Sequence, residues 1–437
     1  MRIRENKVEN WELRPAFELQ ANQIGSVRQA QAREFIYNKS AETCKRLRSF
    51  AVPSDSMSGL RIVNWTNHDE FVKATSGYDD SWMNFAIGAL LDSLDPGQVK
   101  SQARWGPAER TLVGLYRGDQ LLMTLTKIAK DFSWVLSRPL GAVIDPTEAS
   151  TICDALAQSL PAILSTSTPP SAPDLLKLDK LIGPRTLVDD FLTSWSNHVT
   201  SLNIPKPEHP DTPLKLELLD PPYFYSEVSY ATLDTIPPAS SQFSSEKYSI
   251  LNPADEEEAA RLAPLYVEFT AHSPSHATLE EAILVMKDAI KGRRLWYCLY
   301  NELLENEHSN PNPSSEIAGY VMVGRETPRT IAIRNVFVSS SHRRKGIAEA
   351  LVRAVTRYYL GAEPLDLAVN DVVLDKKTKK EEICLNVADE SARRLYIRCG
   401  FLLEDGARDP KSGREGSYAS IWRGLKVVEP GVEKVVE

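Results

Sequence analysis

The sequence has no apolar run of the roughly 18–20 residues that a membrane-spanning helix needs. Its first residues, MRIRENKVENWE, also lack the apolar stretch of a secretory signal. We therefore expect no membrane partner and a cytoplasmic location. The stretch KKTKKEE at 376–382 leaves the nucleus as the alternative, although a solvated loop of mixed charge explains it more simply.

The sequence has fewer basic than acidic residues, and it has few cysteines. Lysine and arginine number 51 against 59 acidic residues, which gives a formal net charge of -8. Nucleic-acid binding depends on a large basic surface, so we expect no nucleic-acid partner. The five cysteines are widely spaced and form no CxxC pair, which predicts buried, reduced thiols and no metal site.

The length of 437 residues predicts two or three domains, at roughly 100–200 residues per domain. Apolar residues make up 42% and charged residues 25% of the chain, which is typical of a globular protein. The proline- and serine-rich segment IPPASSQFSSE indicates a linker. The predicted organisation is an N-terminal extension (1–55), a first domain (56–235), the linker (236–246) and a second domain (247–437).

Both predicted domains repeat one order of elements: strand, helix, hairpin, strand, helix, strand. In the first domain, a hairpin turns at Arg117-Gly118-Asp119, where glycine supplies the positive φ of a tight turn. The helical pattern PTEASTICDALAQSLPAIL follows it. This order predicts an α/β fold and suggests a divergent duplication, although no fixed-period repeat is present.

The segment HRRKGIA joins a predicted strand, TIAIRNVFV at 330–338, to a predicted helix, GIAEALVRAVTRYYLG. Free backbone N–H groups and the positive helix end favour anions at such a corner, and glycine permits close approach of a ligand. The corner is therefore a candidate phosphate site.

Two motifs resemble the GNAT superfamily of acyl-CoA-dependent N-acyltransferases. Arg343, Gly346 and Ala348 match its pyrophosphate loop, R-x-x-G-x-A. About 40 residues later, ICLNVADESARRLYIRCGF at 383–401 resembles the second segment of the family, with Asp389 where asparagine is usual. The resemblance covers residues 247–425, and the overall layout resembles tandem members whose first domain is degenerate.

The resemblance implies two GNAT-like domains, each a mixed, mostly antiparallel sheet flanked by helices. It implies transfer of an acyl group, expected to be acetyl, from acetyl-CoA to a primary amine by direct attack in a ternary complex. The acceptor is either a small-molecule amine or a protein lysine. A non-catalytic acyl-CoA-binding or scaffold protein is the alternative.

The resemblance also assigns the residues that bind acetyl-CoA. The strand bearing Val336, Phe337 and Val338 would pair with the pantetheine amides through its main chain. The second motif contributes Asp389. The turn that would hold the pyrophosphate comprises Arg343, Arg344, Lys345, Gly346, Ile347 and Ala348.

Tyr396 matches the general acid of the family, and a phenol of pKa ≈ 10 is protonated at neutral pH. The base is open, because no carboxylate stands where the family often places a glutamate: that stretch reads Ala332, Arg334 and Asn335. The candidates for the base are Glu268, His272 and Asp389, with a water chain as the alternative.

The first domain lacks a comparable turn. Its equivalent junction, VIDPTEAST, has no glycine and carries Asp145 and Glu148. Carboxylates repel pyrophosphate, so we expect no CoA site in this domain.

Overall fold

The computed structural model describes residues 48–51, 59–95, 110–129, 132–165, 167, 169–209, 211–239, 247–253, 255–271, 276–301, 316–363 and 379–428. Most of the predicted N-terminal extension, residues 240–246 of the predicted linker and the candidate base His272 lie outside these ranges. Within them, no helix combines the length and apolar character that crossing a bilayer requires.

The N-terminal half of the described chain contains strands β1–β8 and helices α1–α5. The strands are Arg48–Ala51, Leu60–Trp65, Thr111–Arg117, Gln120–Lys127, Trp134–Ser137, Lys180–Pro184, Leu216–Leu218 and Phe224–Thr232. The helices are His68–Thr75, Asn84–Leu94, Pro146–Leu164, Ala172–Leu175 and Arg185–Ser201.

The C-terminal half contains strands β9–β14 and helices α6–α9. The strands are Tyr248–Leu251, Leu295–Tyr300, Glu316–Gly324, Thr330–Val338, Glu382–Val387 and Ser417–Val427. The helices are Glu258–Thr270, Leu279–Lys291, Ile347–Leu360 and Glu390–Arg398. A short 3₁₀ turn, Ser340–His342, precedes α8.

The strands form one continuous sheet in the order β1-β2-β3-β4-β5-β6-β14-β8-β13-β12-β11-β10-β9, with β7 added alongside β14. Only β5–β6 and β12–β13 pair in parallel among the described strands. These two parallel pairs occupy corresponding places in the two halves. The predicted fold, a mixed and mostly antiparallel sheet flanked by helices, is confirmed.

The two halves exchange strands at the centre of the sheet. β8, from the N-terminal half, pairs with β13 and β14 of the C-terminal half. β14 in turn reaches back to pair with β6 of the N-terminal half. Each half therefore supplies main-chain hydrogen-bond partners that the other half needs, because unpaired buried N–H and C=O groups are costly.

Helices cover both faces of the C-terminal sheet. α8 packs on one face through an apolar side, with Ile347, Leu351 and Val355 fully buried against the strands. Helix α8 ends at Gly361, whose φ of 68° is the left-handed C-cap that the sequence predicted. α6 and α7 pack on the opposite face in a second core that includes Leu262 and Met286.

A loop before α2 fastens the N-terminal half to β13. Ser81 N–H donates to the buried carboxylate of Glu382 at 2.8 Å, and Arg414 Nη2 donates to the same carboxylate at 2.7 Å. Asp80 accepts from Leu140 N–H at 2.8 Å. Burial raises the pKa of Asp80 to about 7, so this carboxyl is a structural element of the junction rather than an ordinary surface charge.

The cysteines behave as expected from their spacing. Cys153, Cys298, Cys384 and Cys399 are buried and unpaired, while Cys44 lies outside the described residues. Burial raises the pKa of Cys153, Cys298 and Cys384 to about 12, which leaves these thiols protonated and unreactive.

Candidate active site

Part of one edge of β12 has no partner among the described strands. It pairs with β13 only from Thr330 to Ile333, whereas its pairing with β11 continues to Val338. A register shift opposite Met322 leaves Arg334 as the extra residue of a β-bulge. A bulge bends its strand, so the sheet opens between β12 and β13 after Ile333. The main chain of 334–338 is thus available to an extended ligand.

The turn after β12 leads into an open helix N-terminus. Arg344 has a φ of 62° and Gly346 a φ of 80°. Gly346 is the N-cap of α8, and none of the described side chains caps this helix. A Cβ at Gly346 would meet nothing within 4 Å, and Arg343, Arg344 and Lys345 are exposed. The free N–H groups of the first turn therefore face open space beside three cations, an arrangement suited to a pyrophosphate.

Buried His342 anchors the start of this turn. Its Nδ1 lies 3.2 Å from the Tyr248 hydroxyl on β9, and its Nε2 lies 3.2 Å from the Glu316 carboxylate on β11. Arg343 Nε donates to Val338 O at 3.2 Å. The turn is consequently held to the strands beneath it, while the side chains of Arg344 and Lys345 are exposed.

The equivalent helix of the N-terminal half is capped by its own chain. Asp145 is the N-cap of α3 and accepts from Thr147 N–H and Thr147 Oγ1, at 2.8 Å and 2.7 Å. These hydrogen bonds lower the pKa of Asp145. Its carboxylate therefore takes the place at the helix N-terminus that a phosphate would need.

Tyr396 is half-buried on α9 and packs on the same core as Val336 and Val338. Helix α9 contacts the first turn of α8, where Arg398 Nε lies 2.8 Å from Glu349 Oε2. The Tyr396 hydroxyl has no hydrogen-bond partner among the described residues, and burial raises the pKa of this phenol. The hydroxyl is therefore protonated at neutral pH and free to donate.

The described candidates for the base are placed unfavourably. Asp389 is the N-cap of α9 and accepts from Ala392 N–H at 2.9 Å and from Ser391 Oγ. The bonds from Ser391 and Ala392 lower the pKa of Asp389, which weakens it as a base. Glu268 lies on α6 with its carboxylate 3.8 Å from Arg343, on the side of the turn.

Helix α2, from the N-terminal half, holds the hairpin turn that precedes β12. Asn84 Nδ2 donates to Arg325 O at 2.7 Å, and Asp92 Oδ2 accepts from Arg325 N–H at 2.8 Å. A Cβ at Gly88 would lie 2.5 Å from Arg325 O, so only glycine permits this approach. Arg325 itself has a φ of 51°, which costs a non-glycine residue about 1–2 kcal/mol.

Sequence reasoning did not find the role of α2 or of Arg325. The sequence indicates for Arg334 only that it stands near the position where the resembled family often has a glutamate. In the structure its guanidinium lies 3.9 Å from Asp92 on α2, and its side chain is 46% exposed. Arg325 lies in a hairpin turn, and its neighbours come from the other half of the chain. The sequence around Arg325 therefore gives no signal of a site.

Comparison with known proteins bears on this geometry. Residues 296–402 match the family model of the acetyltransferase (GNAT) domain, a range that contains β12, the turn, α8 and Tyr396. This part of the chain is therefore similar to the GNAT domain. The repeated order of elements and the two matching parallel strand pairs show that the two halves of the chain are similarly built.

Two solved structures are similar to the chain at low sequence identity. A tandem GNAT protein from the clavulanic acid biosynthesis pathway is 12% identical, with a TM-score of 0.38 over 85% of this chain and 99% of that one. A GCN5-related N-acetyltransferase from Sphaerobacter thermophilus is 14% identical, with a TM-score of 0.43 over 85% and 97%. No curated protein matches the sequence.

We predict that Gly346→Asp raises the dissociation constant for CoA at least roughly 100-fold, equivalent to ~2.7 kcal/mol. The substitution places a carboxylate at the helix N-terminus, as Asp145 does in α3. Calorimetry on the folded variant measures the effect. Gly346→Ala separates the charge from the backbone strain, and Gly118→Asp, at a positive φ of 57° in a distant hairpin, is the matched control. Unchanged affinity in Gly346→Asp would remove the turn as the CoA site.

We also predict that each chain binds one CoA, because α3 carries its own anion. Calorimetric titration of the wild-type protein should give a stoichiometry of one, and the Gly346→Asp variant should show no remaining site. Two sites of similar affinity, or one that survives in the variant, would contradict the assignment of the N-terminal half.

Proposed function

We propose that this protein is an N-acetyltransferase that moves an acetyl group from acetyl-CoA to a primary amine by direct attack in a ternary complex. The observation that carries the proposal is the continuous path from the uncapped N-terminus of α8 along the open edge of β12 to the bulge at Arg334. Tyr396 lies beside that path on the shared core.

The open edge has the length and the chemistry for a pantetheine arm. The four residue steps from Val338 to Arg334 span about 13 Å at roughly 3.3 Å per residue. Main-chain N–H and C=O groups along this stretch would bind the amides of the arm, and the amides of the turn would bind the pyrophosphate. The thioester end would then lie near the bulge, where pairing with β13 begins.

The chain orients the reacting groups and supplies one proton. Acetyl-CoA brings the acyl group in activated form, as a thioester. Tyr396 Oη would donate its proton to the departing sulfur, and burial favours its neutral form. An alkyl ammonium must first lose a proton, at a cost of about 4 kcal/mol at pH 7.4, three pKa units at 1.36 kcal/mol each. A water chain is the favoured acceptor of that proton, given the capping role of Asp389.

An assay of free thiol release from acetyl-CoA across a panel of amines tests the proposal. Amine-dependent release, with the acetylated amine identified by mass spectrometry, is the expected outcome. Tight CoA binding without release for any amine or lysine peptide would instead support the non-catalytic acyl-CoA-binding alternative.

Tyr396→Phe should lower kcat by about 10²–10⁴, the usual contribution of a general acid, while the dissociation constant for acetyl-CoA is unchanged. The variant keeps the ring that packs against Phe401 and removes only the unpartnered hydroxyl. Tyr297→Phe, in the core beneath α6 and α7, is the matched control and should retain full activity. A fall in kcat of less than threefold would make Tyr396 a packing residue.

A further inference from the structure

The acceptor would approach the thioester end at the bulge of β12. Arg334 is the bulge residue, and Arg325 lies in the hairpin turn before β12. This inference rests on the proposed function, which places that end near Arg334. The α6 and α7 face of the sheet meets helix α2 of the N-terminal half at this point, through the contacts of α2 with β12 and with Arg325. The acceptor pocket would therefore be walled by both halves.

Arg325 carries a guanidinium without a partner. Its side chain makes no hydrogen bond or ion pair with the described residues, and its Nε is buried and unsatisfied. The guanidinium stacks on the ring of Phe85, with 4.2 Å between the guanidinium carbon and the ring centroid. A buried charged group without a partner is costly, so a charge of opposite sign from outside the chain would stabilise this arrangement.

Arg334 adds a second positive charge beside the first. The side chain of Arg334 passes over Gly324, where a Cβ would lie 2.6 Å from Arg334 Cδ. The absence of a side chain at Gly324 thus lets the arginine lie flat on the sheet. Burial lowers the pKa of Arg325, and the positive charge of Arg334 lowers it further. Both arginines contact Asp92, Arg325 through its main-chain N–H and Arg334 through Nη1.

Asp92 is the acidic group that contacts both residues. Asp92 Oδ2 already accepts from the Arg325 main chain and lies at the outer limit of an ion pair, 3.9 Å from Arg334. Glu415 is paired with Arg138 at 3.1 Å, and Glu382 is paired with Arg414 at 2.7 Å. These two carboxylates of the junction are thus paired with other cations.

We propose that Arg325 and Arg334 bind the carboxylate of the acceptor, so that the substrate is a small amine bearing a carboxylate, such as a free amino acid. A planar guanidinium presents parallel N–H donors that match a carboxylate in geometry and charge. Binding would give the Arg325 guanidinium a hydrogen-bonded partner of opposite charge. The ring of Phe85 holds the Arg325 guanidinium in place before the acceptor arrives.

The experiment compares amino acids with their decarboxylated counterparts in the thiol-release assay: lysine with cadaverine, histidine with histamine, and tyrosine with tyramine. We expect at least one amino acid to exceed its counterpart by about 100-fold or more in kcat/KM, because a site built for a polar group rejects the analogue that lacks it. Phosphoethanolamine with ethanolamine forms a separate arm, and a stronger preference for the phosphate would overturn the carboxylate assignment.

Arg334→Met and Arg325→Met should abolish that preference by lowering kcat/KM for the amino acid at least about 100-fold. The decarboxylated amine should change less than about threefold, which a merely structural defect would not produce. Arg61→Met is the matched control, since Arg61 is a half-buried arginine 4.6 Å over the ring of Tyr116 and distant from the bulge. Arg334 is the more exposed of the pair, so its variant keeps the test decisive if Arg325→Met does not fold.

Calorimetric titration of the same amino acid into the CoA-loaded protein gives a readout independent of turnover. Binding that weakens in Arg334→Met and persists in Arg61→Met supports the inference. Equal use of amino acids and simple amines, or a preference for lysine peptides, would overturn it while leaving the acetyltransferase assignment intact. Failure of the wild-type protein to bind CoA would instead contradict the proposed function itself.

Discussion

The bulge at Arg334 is the constraint on which the rest of the site depends. One extra residue in β12 ends its parallel pairing with β13 after Ile333, although pairing with β11 continues to Val338. The same strand is therefore rigid on one edge and open on the other. A fixed strand with an unpaired edge binds an extended ligand without prior rearrangement, which reduces the entropy lost on binding. The helix N-terminus at Gly346 lies at the outer end of this edge, so the bulge and the turn mark its two ends.

The exchanged strands explain why the two halves act as one molecule. β8 lies between β13 and β14, and β14 reaches β6 of the N-terminal half, so neither half completes its sheet alone. The loop at Ser81 adds a polar connection, because Glu382 accepts from Ser81 and from Arg414 while it is buried. Removing either partner would leave a buried carboxylate short of donors, which is far more costly than losing a surface ion pair. The position of α2 against β12 follows from this rigid junction.

Local patterns predicted much of the fold and the strand-turn-helix corner at 330–361. The hairpin at Arg117-Gly118-Asp119, the helix Pro146–Leu164 and the Gly361 cap appear where the periodicity and turn chemistry placed them. The site residues from Val336 to Ala348 lie on one strand-turn-helix unit, which sequence spacing alone can assemble. The strand Ser417–Val427 and the helix His68–Thr75 were not predicted, and neither was the exchange between halves. Pairing across about 200 residues is decided by the whole sheet, so no short segment encodes it.

The division of labour between the halves follows from charge at two equivalent helix ends. α8 begins at a glycine flanked by exposed cations, and α3 begins at an aspartate that satisfies its own N–H groups. A helix capped by its own carboxylate is stable without a ligand, whereas an uncapped one gains from an anion. The helix N-terminus of α3 therefore offers no comparable anion site, and helix α2 of the same half packs against the other half instead. Helix α2 contacts the main chain of Arg325 through Asn84, Gly88 and Asp92. These contacts hold the backbone of Arg325 in a left-handed conformation that the turn alone would not favour.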